Sequence, residues 1–428
     1  MQDRRNFLKS FGTLAALPLL PINENTLNDT NALFNKEISN QLESAENSKD
    51  FWAWVQQSYS SSANFINLNN GGVSPQPIVV QEAFKRYNDI CNEAPSYYMW
   101  RLFKRDIVVV RESLAELAGV SADEIIINRN TTEALDTIIN GLPLKKGDEI
   151  VVCPFDYPNM KSVWKRREKL DGIKLNWVSF PVPCEDDDVM VKAYTDQFNS
   201  KTKLVHITHL INWTGQILPV RKIADAAHAL GIEVLVDAAH SFAHIDYKIP
   251  ELGCDYFGTS LHKWLCAPFG TGMAYIKKDK IAKLSPTFPN ETPESDSIVK
   301  FGNLGTHSVP SEMAIGNAIN FHKAVGPKRK QERLHYLKNY WLEKIKDIEN
   351  IVIYTSFLPK YSGALATFGI KGKEGSKVSG QLESKFKIHS TPVKIENVNG
   401  VRITPHIYTH EYDLDRLVRA IKILAKED

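Results

Sequence analysis

The chain has 428 residues, 43% of them hydrophobic and 24% charged, with a formal net charge of +2. This is ordinary globular composition, long enough for two domains, and it gives no long-range electrostatic basis for binding nucleic acid. The five cysteines (Cys91, Cys153, Cys184, Cys254 and Cys266) lack paired metal-type spacing and are odd in number, so they read as buried thiols rather than a disulfide framework.

At the N-terminus, Arg4-Arg5 and the following Asn6-Phe7-Leu8-Lys9 precede an apolar stretch from Phe11 to Leu20. Residues 1–25 resemble a twin-arginine export signal, which implies passage of a folded protein to the periplasm. The apolar stretch is too short for an ordinary membrane-spanning helix. Residues 26–50, rich in Asn, Glu and Ser, read as a linker, and 51–75 as an N-terminal arm. A helix is expected over 107–117, ending near Gly119. Ser121 and Glu124 have capping-box spacing, but the β-branched run Ile125-Ile126-Ile127 is read as a strand. Strands are then expected at 149–153, 173–180, 203–208, 232–237, 256–260 and 272–276. Helices are expected at 132–140, 160–170 and 221–230. The basic run Lys165-Arg166-Arg167 reads as a solvated helix face. Such alternation predicts a mostly parallel sheet covered on both faces, with ligands at the carboxyl ends of its strands. This large domain is placed at 76–305. A long helical region at 311–348, short strands at 351–355 and 365–370, and a final helix at 414–425 predict a smaller α/β domain over 306–428.

Four features carry candidate chemistry. Lys263, in Ser260-Leu261-His262-Lys263-Trp264, has apolar and aromatic neighbours. Desolvation there favours the neutral amine that attacks aldehydes, although a lysine snorkelling from a strand end is the plainer reading. Asp237 ends the apolar run Val234-Leu235-Val236, where a carboxylate needs a strong partner or serves as a cap. Asn130-Thr131-Thr132-Glu133 opens a helix, whose N-terminus favours phosphate or is simply capped. Arg402, in Val401-Arg402-Ile403-Thr404-Pro405-His406, requires an anion if buried and none if it lies on a solvated edge strand. His206, His209, His240, His244 and His262 raise the alternative of a metal-dependent hydrolase. However, His206 and His209 fall on opposite faces of a strand, and there is no His-Glu-x-x-His helix. No metal site is expected. No Gly-x-Gly-x-x-Gly follows the first strand, which argues against a dinucleotide enzyme.

Asp237-Ala238-Ala239-His240, followed by Ser260-Leu261-His262-Lys263, resembles the pyridoxal-phosphate (PLP) signature of class V aminotransferases. Asn69-Asn70-Gly71-Gly72-Val73-Ser74-Pro75 is most similar to the isopenicillin N epimerase-like branch. The resemblance runs from about Asn67 to the C-terminus. It implies the α/β PLP fold type I, aspartate aminotransferase-like, with a large mostly parallel-sheet domain and a smaller α/β domain. It implies pyridoxal 5'-phosphate carried by Lys263 as a Schiff base, with Asp237 on the pyridine nitrogen and Tyr157 stacked on the ring. Thr131, Thr132, Ser260 and His262 would hold the phosphate, and Asn212 and His240 the phenolic oxygen. Thr306 would reach across from the second subunit of a homodimer. Arg402 and Asn70 would bind the substrate. The activity implied is epimerase- or aminotransferase-like chemistry at Cα of an amino acid, with a C–S β-lyase as the alternative. Cysteine desulfurases carry His where Tyr157 stands and a late nucleophilic cysteine. This chain has no cysteine after Cys266, so their persulfide chemistry is not expected. A non-catalytic PLP-fold protein should lack Lys263, Asp237 or Arg402, and all three are present.

Overall fold

Aliphatic and β-branched runs bounded by turn residues become strands buried on both faces when helices cover a sheet from each side. In the computed structural model, which describes residues 48–288 and 290–427, strands β2 (Ile125–Asn128), β3 (Glu149–Val152), β4 (Lys174–Trp177), β5 (Thr202–Thr208), β6 (Glu233–Asp237), β7 (Tyr256–Ser260) and β8 (Gly272–Ile276) form one seven-stranded sheet. Its order is β2-β8-β7-β6-β5-β3-β4. The pairings from β4 through β7 are parallel, and β8 runs antiparallel to both β7 and β2. The expected mostly parallel sheet is therefore present. The twin-arginine segment and nearly all of the expected linker lie outside the described residues. No helix among the described residues is long and apolar enough to cross a membrane.

The helix Thr131–Gly141 packs on this sheet through Leu135 and Ile138, beside Trp164 of the helix Pro158–Asp171. Two glycines permit the approach. A Cβ at Gly258 would come within 2.7 Å of the Leu135 side chain, and one at Gly272 within 2.6 Å of the Asn130 backbone. The N-terminus of that helix is thereby pressed against β8. Its other end is braced by Arg167, which donates to the carbonyls of Ile139 and Leu142 and pairs with Asp171. Arg167 is buried, which corrects the reading of the basic run as wholly solvated. Lys165 lies over the Trp177 ring and Arg166 donates to Asn140, so those two fit it.

A second, antiparallel sheet has the order β12-β13-β10-β9, formed by β9 (Ile351–Ile353), β10 (Ala366–Ile370), β12 (Thr391–Ile395) and β13 (Val398–Ile403). Trp341, Phe368, Leu382, Leu417 and Ile421 form its core with the helices Pro327–Leu342, Gly375–Phe386 and Glu411–Leu424. Strand β1 (Ile66–Asn67) pairs in parallel with β11 (Ile388–His389). Arg402 lies on β13, between β12 and β10, so it is not on an edge.

Three local expectations change. The helix expected at 311–348 is broken into Val309–Met313, Ile315–Val325 and Pro327–Leu342. Pro327 has no N–H to continue the ladder, and Gly326 before it takes φ +87°. Ser121 and Glu124 do form a capping box, around a single turn that leads straight into β2, so cap and strand coexist. The helix expected at 107–117 begins earlier, as Phe103–Ala118, and ends in a left-handed Gly119.

Candidate active site

The carboxyl ends of β5, β6 and β7 and the N-terminus of the helix Thr131–Gly141 open onto a cleft of about 570 Å³. Lys263 follows β7 in a turn, and its Nζ lies 3.0 Å from His240 Nε2. Burial lowers the amine to about 8, against the pull of Asp237 and with the repulsion of Arg402. Burial, then the charges of Lys263 and Arg402, hold His240 neutral. Its Nε2 can therefore accept from the lysine, while its buried Nδ1 has no partner among the described residues.

Asp237 ends β6 and is buried, with Oδ1 accepting from the Ala239 N–H at 2.9 Å. Burial raises its pKa, opposed by His206, the Ala239 amide and Lys263. On the neighbouring strand, His206 Nδ1 accepts from Trp164 Nε1 at 2.9 Å, which leaves Nε2 as the protonated nitrogen. At the helix N-terminus, Asn130 Oδ1 accepts from the Glu133 N–H at 2.9 Å. Ser260 Oγ accepts from the Thr131 N–H at 2.9 Å and bonds Thr131 Oγ1 at 2.7 Å. Thr132 also lines the cleft. His262 is lowered by burial to about 4, and its Nδ1 donates to the Thr271 carbonyl at 2.8 Å.

Tyr157 precedes the helix Pro158–Asp171 and lies 41% exposed on the cleft wall. Arg402 is buried; its Nη1 donates to the Asn212 carbonyl and its Nη2 to Asn69 Oδ1, each at 2.9 Å. No carboxylate pairs with it among the described residues, and burial lowers it to about 10 against the influence of Tyr157. The Asn212 loop is fixed to the second sheet. Thr367 and Thr355 hydroxyls donate to the carbonyls of Trp213 and Thr214, each at 2.6 Å. Gly215, at φ +78°, leaves only 2.2 Å between a would-be Cβ and the Leu365 carbonyl oxygen.

Lys263, Asp237, Tyr157, Thr131, Thr132, Asn212, His240, Ser260, His262 and Arg402 thus converge on one cleft. Asn70 does not join them. It is fully buried, donating to the carbonyls of Thr404 (2.9 Å) and Asn67 (3.2 Å) and accepting from Tyr408 Oη (2.7 Å) and Asn67 Nδ2 (3.0 Å). All its polar atoms are spent on the fold, and Asn69 lines the cleft instead. Thr306 is exposed and does not line this chain's own cleft. The other histidines are committed elsewhere. His244 bonds the His240 carbonyl (2.7 Å) and the Ala364 N–H (2.8 Å) and stacks on Trp264, and His209 packs on Tyr247. Among the described residues, no three His, Cys, Asp or Glu side chains are grouped to hold a metal.

Residues 66–417 match the family model for class V aminotransferases. The chain belongs to the class V aminotransferase family. It is similar to isopenicillin N epimerase from Streptomyces clavuligerus, 26% identical over 379 residues that cover 85% of this chain and 95% of that one. It is also similar to a probable cysteine desulfurase from Halalkalibacterium halodurans, 28% identical over 74% of this chain and 81% of that one. Among solved structures, it resembles a C-DES mutant with glycine covalently linked to its PLP cofactor. The TM-score is 0.77 at 21% identity, covering 87% of this chain and 99% of that one. The fold is PLP type I, and the protein is a PLP-dependent class V enzyme.

The cleft suits that cofactor by its own chemistry. It combines an amine lowered toward neutrality, a buried carboxylate without a full ion pair, and a helix N-terminus with two hydroxyls. Three polar residues that line this cleft, Asn69, Thr208 and Thr391, escaped the sequence reading, as did a carboxylate bonded to one of them. Asp156 is buried, accepts from the Cys153 N–H and from Thr208 Oγ1 (2.7 Å each), and is raised by burial to about 7. The strand-end logic applied to Asp237 would have found Thr208, which ends β5, whereas Asp156 lies four residues beyond the end of β3. Nothing in the sequence separates Asn69 from Asn70.

Proposed function

We propose that this enzyme carries out PLP-dependent chemistry at Cα of an amino acid, in the manner of an epimerase or aminotransferase. The observation that carries the reading is Arg402, a buried guanidinium with no carboxylate partner among the described residues, in the same cleft as Lys263. A buried charge of this kind is costly until an anion completes it, and the planar fork matches an α-carboxylate. When bound, pyridoxal phosphate supplies an electron sink for negative charge at Cα. Lys263 would hold the cofactor aldehyde and would serve as the base for the α-proton, because an amine lowered to about 8 is partly neutral near physiological pH. His240 accepts from Lys263 and orients its Nζ. Asp237 would pair with the protonated ring nitrogen, a cation that would offset the burial of its carboxylate. Thr131, Thr132, Ser260 and His262 would hold the cofactor phosphate, Tyr157 its ring, and Asn212 its phenolic oxygen; all line the one cleft. The active form is a homodimer in which Thr306 reaches the neighbouring cleft.

The similarity to isopenicillin N epimerases supports inversion at Cα. A second reading, C–S β-lyase chemistry, is supported by the likeness to cysteine desulfurases. A thiol nucleophile is not available to it: all five cysteines are buried, and 388–393 contains none. Elimination of a β-substituent needs no thiol. The test is to incubate the holoenzyme in deuterium oxide with the standard amino acids and cystine. Deuterium at Cα of the amino acid with D-enantiomer formed, or conversion of the amino acid to its keto acid without loss of a β-substituent, supports the first reading. Pyruvate with sulfide or persulfide supports the second. Absence of Cα exchange and of all these products with every substrate would overturn both.

A further inference from the structure

We propose that Asn69 is a positioning residue for Arg402, setting the orientation in which the guanidinium meets a substrate carboxylate; this rests on the carboxylate role of Arg402 given above. Among the described residues, two groups hold the fork: the Asn212 backbone carbonyl on Nη1 and the Asn69 side chain on Nη2, each at 2.9 Å. Asn69 is therefore the only one of the two whose contact depends on side-chain identity. Its orientation is fixed from both ends. With Oδ1 accepting from the arginine, Nδ2 is the donor left for His389 Nε2 at 3.4 Å.

The backbone of Asn69 is equally held. Its N–H donates to Asn67 Oδ1 at 3.2 Å, and its carbonyl accepts from the Gly72 N–H at 3.1 Å. On either side, the Thr404 N–H donates to the Leu68 carbonyl at 2.7 Å and Asn70 Nδ2 to the Thr404 carbonyl at 2.9 Å. Thr404 follows Arg402 by two residues, so the frame that presents Asn69 is built on the same strand end that carries the arginine. The burial of Asn70 thereby acquires a purpose: it stakes down the loop so that its neighbour can reach Nη2. An amide suits this task because it accepts from the guanidinium without neutralising it, leaving the positive charge for an incoming anion. A carboxylate at this position would occupy the fork itself.

The test uses holoenzyme of the wild type, Asn69→Ala, Asn69→Asp and Arg402→Gln. Binding is followed by the visible absorbance of the bound cofactor. The probes are the standard amino acid that perturbs the wild-type spectrum most and the amine that lacks its carboxylate. Asn69→Ala is expected to weaken the amino acid roughly tenfold, the scale of one hydrogen bond to a charged group. Asn69→Asp should weaken it further, and the amine should stay within roughly twofold of wild type in both. Arg402→Gln should show the same selectivity at larger amplitude. If Arg402→Gln discriminates between the probes and neither Asn69 variant does, the positioning role is overturned and the carboxylate role stands. If Arg402→Gln weakens both probes equally, the carboxylate role fails and takes this proposal with it. If no standard amino acid perturbs the wild-type spectrum, the amino-acid reading itself fails. Should Asn69→Ala lose the cofactor, the near-isosteric Asn69→Asp decides alone: a raised KM with kcat retained supports the proposal, and an unchanged KM with reduced kcat overturns it.

Discussion

Lys263 is not singled out by its pKa. Burial also lowers Lys330 to about 8 and Lys338 to about 7. Lys338 is spent on the Ser356 carbonyl and Ser362 Oγ, and Lys330 on the Trp264 carbonyl, whereas Lys263 faces a neutral histidine in the cleft. The lowered value does have a kinetic consequence. Uptake of pyridoxal phosphate by the apoprotein proceeds through the neutral amine, whose fraction falls tenfold per pH unit below the pKa. Stopped-flow uptake rates should climb with pH and level off above about 8. A rate still climbing at pH about 10, as for an unperturbed lysine, would show that burial does not activate this amine. At this scale Lys263, Asp237 and Arg402 were legible because each is a charge in an apolar run, which demands a partner. Asn69 was not, because two adjacent asparagines carry identical chemistry and only the turn geometry decides which one faces the cleft.

Elements position these residues through close backbone approach. The helix Thr131–Gly141 meets β8 at Gly272, where a Cβ would lie 2.6 Å from both N and Cα of Asn130. Gly272→Ala must move the helix N-terminus away from Ser260. It is expected to cost about 1–3 kcal/mol of stability by overpacking and to weaken pyridoxal phosphate binding roughly tenfold or more. Gly231→Ala is the control, since Gly231 has φ +71° with nothing near its would-be Cβ. It should lose stability through backbone strain and keep cofactor affinity. Equal affinity in the two variants, read by equilibrium dialysis, would separate the helix N-terminus from cofactor binding. The strands of the large sheet were legible from β-branched runs and turn punctuation. The short strands β11, β12 and β13 were not, since Pro392 and the polar residues between 389 and 399 blur the alternation. The break before Pro327 was legible in the Gly326-Pro327 pair itself, which ends one helix and opens the next, and in the polar run that follows it.

At the scale of the whole described structure, several buried or half-buried histidines are held neutral. Burial lowers His206, His209 and His335 to about 4 and His244 to about 3. Their unfolded values lie near 6.5, so the unfolded chain binds more protons as pH falls below that point. The contribution of these histidines to stability is therefore complete above about 6.5 and is lost progressively toward about 4. His307, raised to about 9 by Glu312, and Asp156, raised by burial to about 7, act in the opposite sense, but they are fewer than the lowered histidines. Acid unfolding followed by circular dichroism should have its midpoint between about 4 and 6.5. A fold that persists at pH about 3 would contradict the neutral burial of these side chains.

The central claim, that Lys263 holds pyridoxal phosphate in a cleft built around it, is tested most directly by reducing the holoenzyme with borohydride and mapping its peptides by mass spectrometry. The expected result is a pyridoxyl adduct on Lys263, with adduct and visible cofactor absorbance both lost in Lys263→Ala. An adduct on Lys330, Lys338 or any other lysine, or an unchanged absorbance in Lys263→Ala, would contradict it.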